Sequence, residues 1–441
     1  MLGGLGLLVA TSGFAGGGLT AASGAVVAAQ PFAKLNTHAF ASVPTTAQCV
    51  EQIGLACYSP AQFEAAYDMG PLYSQGDEGQ GKTIVLVDSF GSPTIGSDLK
   101  KFDHAFHLPA PPSFAVIQPA GPVPPFDPTN GTMVGWAVES SLDVEYAHAM
   151  APLANLLLVE TPVAETEGVV GLPQIVAAEN YVIDHHLGDV ISQSFGATEE
   201  TFPSKASLLG LRSAFVNARK HGVTVLGASG DDGSTDQHFN GSLFTHRVDS
   251  WPSSDPLVTS VGGTQLHLNS SGQRVQADNV WNDTNVLGSP AAGGGGTSEF
   301  FARPAYQNGV ESVVGAARGT PDVAMTAAVD GSALVYMSFI PPGFYLVGGT
   351  SEATPIFAGV VAIADQVAGH DLGLLNPSLY SLASSGAAGV VDITTGNNTV
   401  SFLQNGASHT VPGWVANTGY DLASGIGTVD GAQLVSELAG T

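Results

Sequence analysis

Lys82-Thr83-Ile84-Val85-Leu86-Val87-Asp88-Ser89-Phe90-Gly91 is a β-branched, apolar run closed by an aspartate and a glycine turn. A run that is apolar without alternation is what a strand covered on both faces requires. Reading outward, the pattern predicts a helix over 95–106, a Pro-rich loop over 108–128, and strands over 155–159 and 190–195. A helix over 206–220 follows, then strands over 223–228 and 257–261. Strands alternating with helices specify a mostly parallel sheet with helices on both faces, an α/β domain of three layers. Residues 269–298, rich in Gly, Asn and Ser, read as a surface excursion.

Composition narrows the function classes. The chain of 441 residues holds 38 Asp plus Glu against 12 Lys plus Arg, a net charge of −26 at pH 7. That excess argues against nucleic acid or an anionic membrane as partner. In acid, 12 Lys and Arg with 12 His set a modest ceiling on positive charge, so self-repulsion stays small. Cys49 and Cys57 are too few for a zinc site and form no C-x-x-C motif; they are either a local disulfide or two thiols. Residues 1–33 contain no charged side chain, are rich in Gly, Ala and Leu, and reach Val27-Ala28-Ala29, which reads as the end of a secretory leader lacking its positive region. Residues 1–50 are therefore expected to be a poorly ordered leader or prosegment remnant, and 51–441 a single domain.

Chemistry enters with Gly348-Gly349-Thr350-Ser351, followed by Pro355 and an apolar helix through Gly359. Ser351 is then either a helix cap or a nucleophile near a positive helix end, and Pro355 suits a first helical turn. A helix over 134–150 places Glu139 and Asp143 four residues apart on one face, with Glu145 on another. Like charges at that spacing destabilise a solvated helix, so the pair is either an acidic surface or two carboxyls sharing a proton. Asp231 follows the strand Val223–Ala228, at the carboxyl end where ligands bind in open α/β sheets; Asp-Asp-Gly is equally a turn former.

Together these stretches resemble the sedolisin family of serine-carboxyl peptidases. The matching motifs are Gly349-Thr350-Ser351 with Pro355 and Ala358-Gly359, Glu139 with Asp143, Ala228-Ser229-Gly230-Asp231, and Pro321-Asp322-Val323-Ala324. Ile191 to Gly196 and Val261-Gly262-Gly263-Thr264 match more weakly. The resemblance implies a subtilisin-like fold and a secreted endopeptidase acting in acid. It implies Ser351 as nucleophile, Glu139 as its base, Asp143 as the acid orienting Glu139, and Asp231 as oxyanion partner. A carboxylate base operates where histidine is charged, and a carboxyl donates to an oxyanion only while protonated. The resemblance further implies one calcium ion near the C-terminus, held by Asp392, Ile393, Asn417, Gly419 and Asp421, with Asn417 standing where the family has Gly. Protein or peptide substrates and a monomer are expected.

Two decoys are set aside. Gly295-Gly296-Thr297-Ser298-Glu299 repeats the serine pentapeptide, but Phe300 to Pro304 cannot open a long apolar helix. Asp88 raises a Ser-His-Asp alternative, and no His-Gly-Thr-His segment supplies its histidine. Only some 55 residues precede the resemblance, whereas the family's folded prosegment is far longer. The competing readings are a tripeptidyl-peptidase of the same family and a silent binding protein that keeps the fold.

Overall fold

The computed structural model describes residues 7–8, 30–163, 172–238 and 240–440. Its main sheet runs, in spatial order, Asn279–Val280, Thr259–Gln265, Thr224–Ala228, Val190–Gln193, Thr83–Ser89, Asn155–Thr161 and Phe114–Ile117, and Val323–Thr326 also pairs with Thr259–Gln265. Every pairing in it is parallel except that of Asn279–Val280. Thr83–Ser89 is central and buried from Ile84 to Ser89, as its unbroken apolar run requires. The stretch expected as a Pro-rich loop contains the edge strand Phe114–Ile117, four apolar residues of which none is fully buried.

Two helices carry the chemistry. The acid helix, Gly131–Met150, is buried from Trp136 to Met150, because it is covered on all sides rather than along one stripe. The serine helix, Thr350–Ala368, packs against it. Gly359 permits the close approach: a Cβ there would lie 2.5 Å from Met150 Cβ. Pro355 stands inside the helix, in its second turn rather than its first. Lacking an N–H, it leaves the Ser351 carbonyl without its intrahelical donor.

The leader boundary expected at residue 50 is corrected by the packing. Gln30–Pro31 pairs antiparallel with Phe195 and Gly196, and Lys34–Phe40 pairs antiparallel with Gly343–Gly348. The latter belongs to a five-stranded sheet with Leu7–Leu8, Ser332–Met337 and Cys57–Tyr58. Thr46–Ile53 is a helix with a Thr45–Gln48 capping box, and Cys49 and Cys57 form a disulfide. Residues 34–50 are thus part of the domain; strand pairing, which no local period encodes, recruits them. The cleavage signal at Val27-Ala28-Ala29 lies outside the described residues. The stretch 269–298 is not simply an excursion either, since Trp281, Ala291 and Ala292 are fully buried.

Candidate active site

The four residues expected of the site converge. Glu139 and Asp143 project from one face of the acid helix, Ser351 stands in the first turn of the serine helix, and Asp231 follows the strand Thr224–Ala228. All four are buried. The Ser351 hydroxyl donates to the Ser194 carbonyl at 3.3 Å and stands beside the Glu139 carboxyl, whose Oε1 is buried without a partner. Ser194 Oγ donates to Asp143 Oδ1 at 2.7 Å, so the residue between two strands ties nucleophile to acid. Asp231 Oδ1 accepts from the Thr350 amide at 2.7 Å and the Thr350 hydroxyl at 2.8 Å. Its Oδ2 is buried without a partner, aimed where Gly349 leaves room. Gly349 has φ 120°, and a Cβ there would stand 2.3 Å from that oxygen, so the turn before the serine needs glycine twice over.

Burial sets the proton chemistry. Desolvation pushes Asp231 up to about 7, against the opposing pull of Lys34 and the Thr350 bonds. Glu139 rises well above its usual value through burial first and then the charge of Asp88. Asp143 rises likewise, from burial, Asp88 and Glu139. Asp88 itself, at the end of Thr83–Ser89, is pushed up to about 7 chiefly by burial. It is therefore a third acid of the cluster rather than a partner for histidine, a role the sequence reading missed although its place at a strand end was visible. His148, on the acid helix, turns instead to Asp103 at 3.2 Å and the Pro109 carbonyl at 2.8 Å.

The decoys have structural work. Ser298 lies in the strand Gly296–Ala302 and donates to Glu199 Oε1 at 2.6 Å. Glu145 accepts from the Tyr336 amide at 2.9 Å, away from Glu139. Asp322 of the Pro-Asp-Val-Ala motif is held by the buried Arg318, with Nη1 to Oδ1 at 2.7 Å, and by the Tyr380 hydroxyl at 2.9 Å.

At the C-terminal end, the Gly419 amide donates to Asp392 Oδ2 at 2.9 Å, so the two loops expected to hold calcium do meet. Asp421 accepts from the amides of Asn417, Ala423 and Ser424, each at 2.9 Å. Among the described residues no group of three or more His, Cys, Asp or Glu is gathered for a metal. Carboxylates with backbone carbonyls are the oxygen donors a hard cation takes, and here the carboxylates of both Asp392 and Asp421 accept backbone amides.

A parallel α/β sheet carrying a helix-borne serine among buried carboxyls defines the class as a subtilisin-like domain of the serine-carboxyl type. The chain is similar to peptidases of the sedolisin family over most of its length. Kumamolisin of Bacillus sp. (strain MN-32) is 30% identical over 387 residues, covering 86% of this chain and 63% of that protein. Sedolisin of Pseudomonas sp. (strain 101) is 29% identical over 380 residues, 86% of this chain and 60% of that protein. Tripeptidyl-peptidase 1 of Canis lupus familiaris is 27% identical over 316 residues, 68% of this chain and 52% of that protein. The solved structure of Pseudomonas sedolisin, a serine-carboxyl proteinase complexed with two molecules of pseudo-iodotyrostatin, superposes with a TM-score of 0.72 at 27% identity, covering 88% of this chain and 99% of that one. The chain spans about 60% of the length of the first curated relatives it matches. No family model matches it.

Proposed function

We propose that the protein is a serine-carboxyl endopeptidase acting in acid on protein or peptide substrates. One observation carries this reading: Ser351 stands beside a buried carboxyl, Glu139, whose Oε1 has no hydrogen-bond partner, and no histidine contacts the serine among the described residues. Two adjacent buried charges repel, so the working state of Glu139 and Asp143 holds a single negative charge. Glu139 takes the Ser351 proton as Oγ attacks the peptide carbonyl, while Asp143, fixed by Ser194, retains its own. Asp231, protonated below about 7, turns its free oxygen into a donor for the developing oxyanion. Glu139 then returns its proton to the leaving nitrogen, and water hydrolyses the acyl ester.

Hydrolysis of an unstructured protein followed from pH 2 to 8, beside Ser351→Ala, tests this. Activity confined to acid and lost in the variant is expected; equal activity of the two proteins, or an optimum above neutrality, overturns it. Relatives named as tripeptidyl-peptidases favour a second reading within the class, and N-terminal sequencing of products decides between tripeptides and internal fragments. The disulfide suits an oxidising compartment, which supports the reading of a secreted enzyme. No helix among the described residues is long and apolar enough to cross a membrane. Calcium is proposed for the loops of Asp392 and Asp421, where it would brace two turns that the Gly419 amide and the Ala416 amide already join.

A further inference from the structure

A cavity of about 180 Å³, lined by none of the four catalytic groups, lies at the carboxyl ends of three neighbouring strands. Phe90 follows Thr83–Ser89, Gln118 follows Phe114–Ile117, Glu160 stands near the end of Asn155–Thr161, and Met133 belongs to the first turn of the acid helix. With Val123 and Phe126 of the Pro-rich loop they make a lining that is mostly apolar and in which Glu160 is the one charged residue. The carboxyl ends of parallel strands are where open α/β sheets take their ligands.

Local geometry presents Glu160 to this space. Its one described hydrogen bond runs from Gln118 Nε2 to Oε2 at 2.8 Å, which leaves Oε1 open. Gln118 in turn accepts the Val123 amide at 3.2 Å, so the loop is fastened around the carboxyl. Gly91, at φ 68°, makes room for Oε1, since a Cβ there would collide with it. Phe90 before it has φ 61°, a conformation few residues with a Cβ adopt, and its amide is held by the Thr161 carbonyl at 2.9 Å. Glu160 is 7% exposed, and burial holds its carboxyl above the usual range against the pull of Gln118. A buried carboxyl with an open oxygen and apolar surroundings lacks a cation.

The sheet sets the distance to the nucleophile. Leu86 pairs with Ser192 and Asp88 with Glu160, so Ser194, Asp88 and Glu160 come at one level on neighbouring strands. Two strand spacings put Glu160 about 10 Å from Ser194, the length of three extended residues. The Ser351 hydroxyl reaches the Ser194 carbonyl. The excess of 38 acidic over 12 basic residues also favours cationic peptides around the cleft.

We propose, on the peptidase reading above, that this cavity receives a lysine or arginine side chain of the substrate, from a residue within about three of the cut bond, with its stem along Phe90 and Phe126 and its cation on Glu160 Oε1. The preference it confers grows as pH rises from 3 to 6, because Glu160 must be ionised to hold the cation. Asp88, its register partner on the next strand, is pushed up to about 7 and keeps its proton through that range.

Amino-acetylated, internally quenched peptides of one parent sequence, carrying Lys, Arg, norleucine, Gln or Glu at each position up to four from the cut bond, test this with the full chain and with Glu160→Gln. Both proteins are matched by thermal melting, cut sites are read by mass spectrometry, and kcat/KM is compared at pH 3, 4, 5 and 6. At one position Lys and Arg should exceed norleucine and Gln by about tenfold or more at pH 5, the worth of a hydrogen bond to a charged group, and by less at pH 3. Glu160→Gln should bring the Lys peptide down to the norleucine one. Should Glu160→Gln fail to fold, the pH dependence of the Lys to norleucine ratio in the parent decides. Peptides cut with no advantage for Lys or Arg at any position, an advantage that stays constant from pH 3 to 6, or one that survives in Glu160→Gln overturns the cation pocket and leaves the peptidase reading standing. If no peptide of the series is cut in acid, both fall.

Discussion

Replacing Asp231 by Asn isolates the proton that the oxyanion partner is proposed to donate. The side-chain oxygen keeps the bonds from the Thr350 amide and hydroxyl, and an NH₂ group takes the place of the partnerless Oδ2. Burial raises Asp231 from its usual 3.8 to about 7, so across that interval the folded chain holds a proton that the unfolded chain has lost. Folding stability therefore falls as pH rises through the window, with no contribution to the slope below about 4 or above about 7. One proton corresponds to about 1.4 kcal/mol per pH unit, or on the order of 4 kcal/mol over the whole interval. Denaturant unfolding at pH 4, 5, 6 and 7, in a Ser351→Ala background that prevents proteolysis, measures it. Asp231→Asn should flatten the slope by about 1.4 kcal/mol per pH unit in that window. Equal slopes in parent and variant would show that Asp231 is ionised in the folded state and cannot serve as donor.

Glu139→Gln should lower kcat by about 10²- to 10⁴-fold, the usual worth of a general base, with the melting temperature nearly kept because the amide still accepts from Ala33; a loss under tenfold in a pH-rate assay contradicts the role. Gly359→Val should destabilise by about 1 to 3 kcal/mol by thrusting side-chain carbons against Met150, read by thermal unfolding. Arg318→Met leaves the Asp322 carboxylate buried without its ion-pair partner and should cost about 3 to 5 kcal/mol in the same assay. If calcium binds, excess chelator should lower the melting temperature of the parent and leave Asp392→Ala unchanged; binding at 100 times Kd corresponds to about 2.7 kcal/mol.

What could be read in advance was what local pattern carries. The apolar run at Ile84 to Val87 specified a covered strand, and the four-residue spacing of Glu139 and Asp143 put both acids on one helical face. Gly-Gly before Thr350 and Ser351 marked a tight turn into a helix, and the position of Asp231 past a strand placed it at the ligand edge. These are relations within one element, set by the 3.6-residue turn of a helix and the direction of a strand.

Tertiary structure alone decided the relations between distant elements. It made Asp88 a third acid facing Glu139 and Asp143, and gave Ser194 the task of bonding Asp143. It closed the Cys49–Cys57 bridge that spacing left open, and drew Lys34–Phe40 into a sheet from a stretch that reads as leader. The meeting of Ala33 with Glu139 spans 106 residues of chain, and no periodicity reports it. The sequence by itself fixes which groups can exchange protons; which carboxyls are dry enough to hold them, and which peptide lies between them, follows from how the helices and the N-terminal strand close over the site.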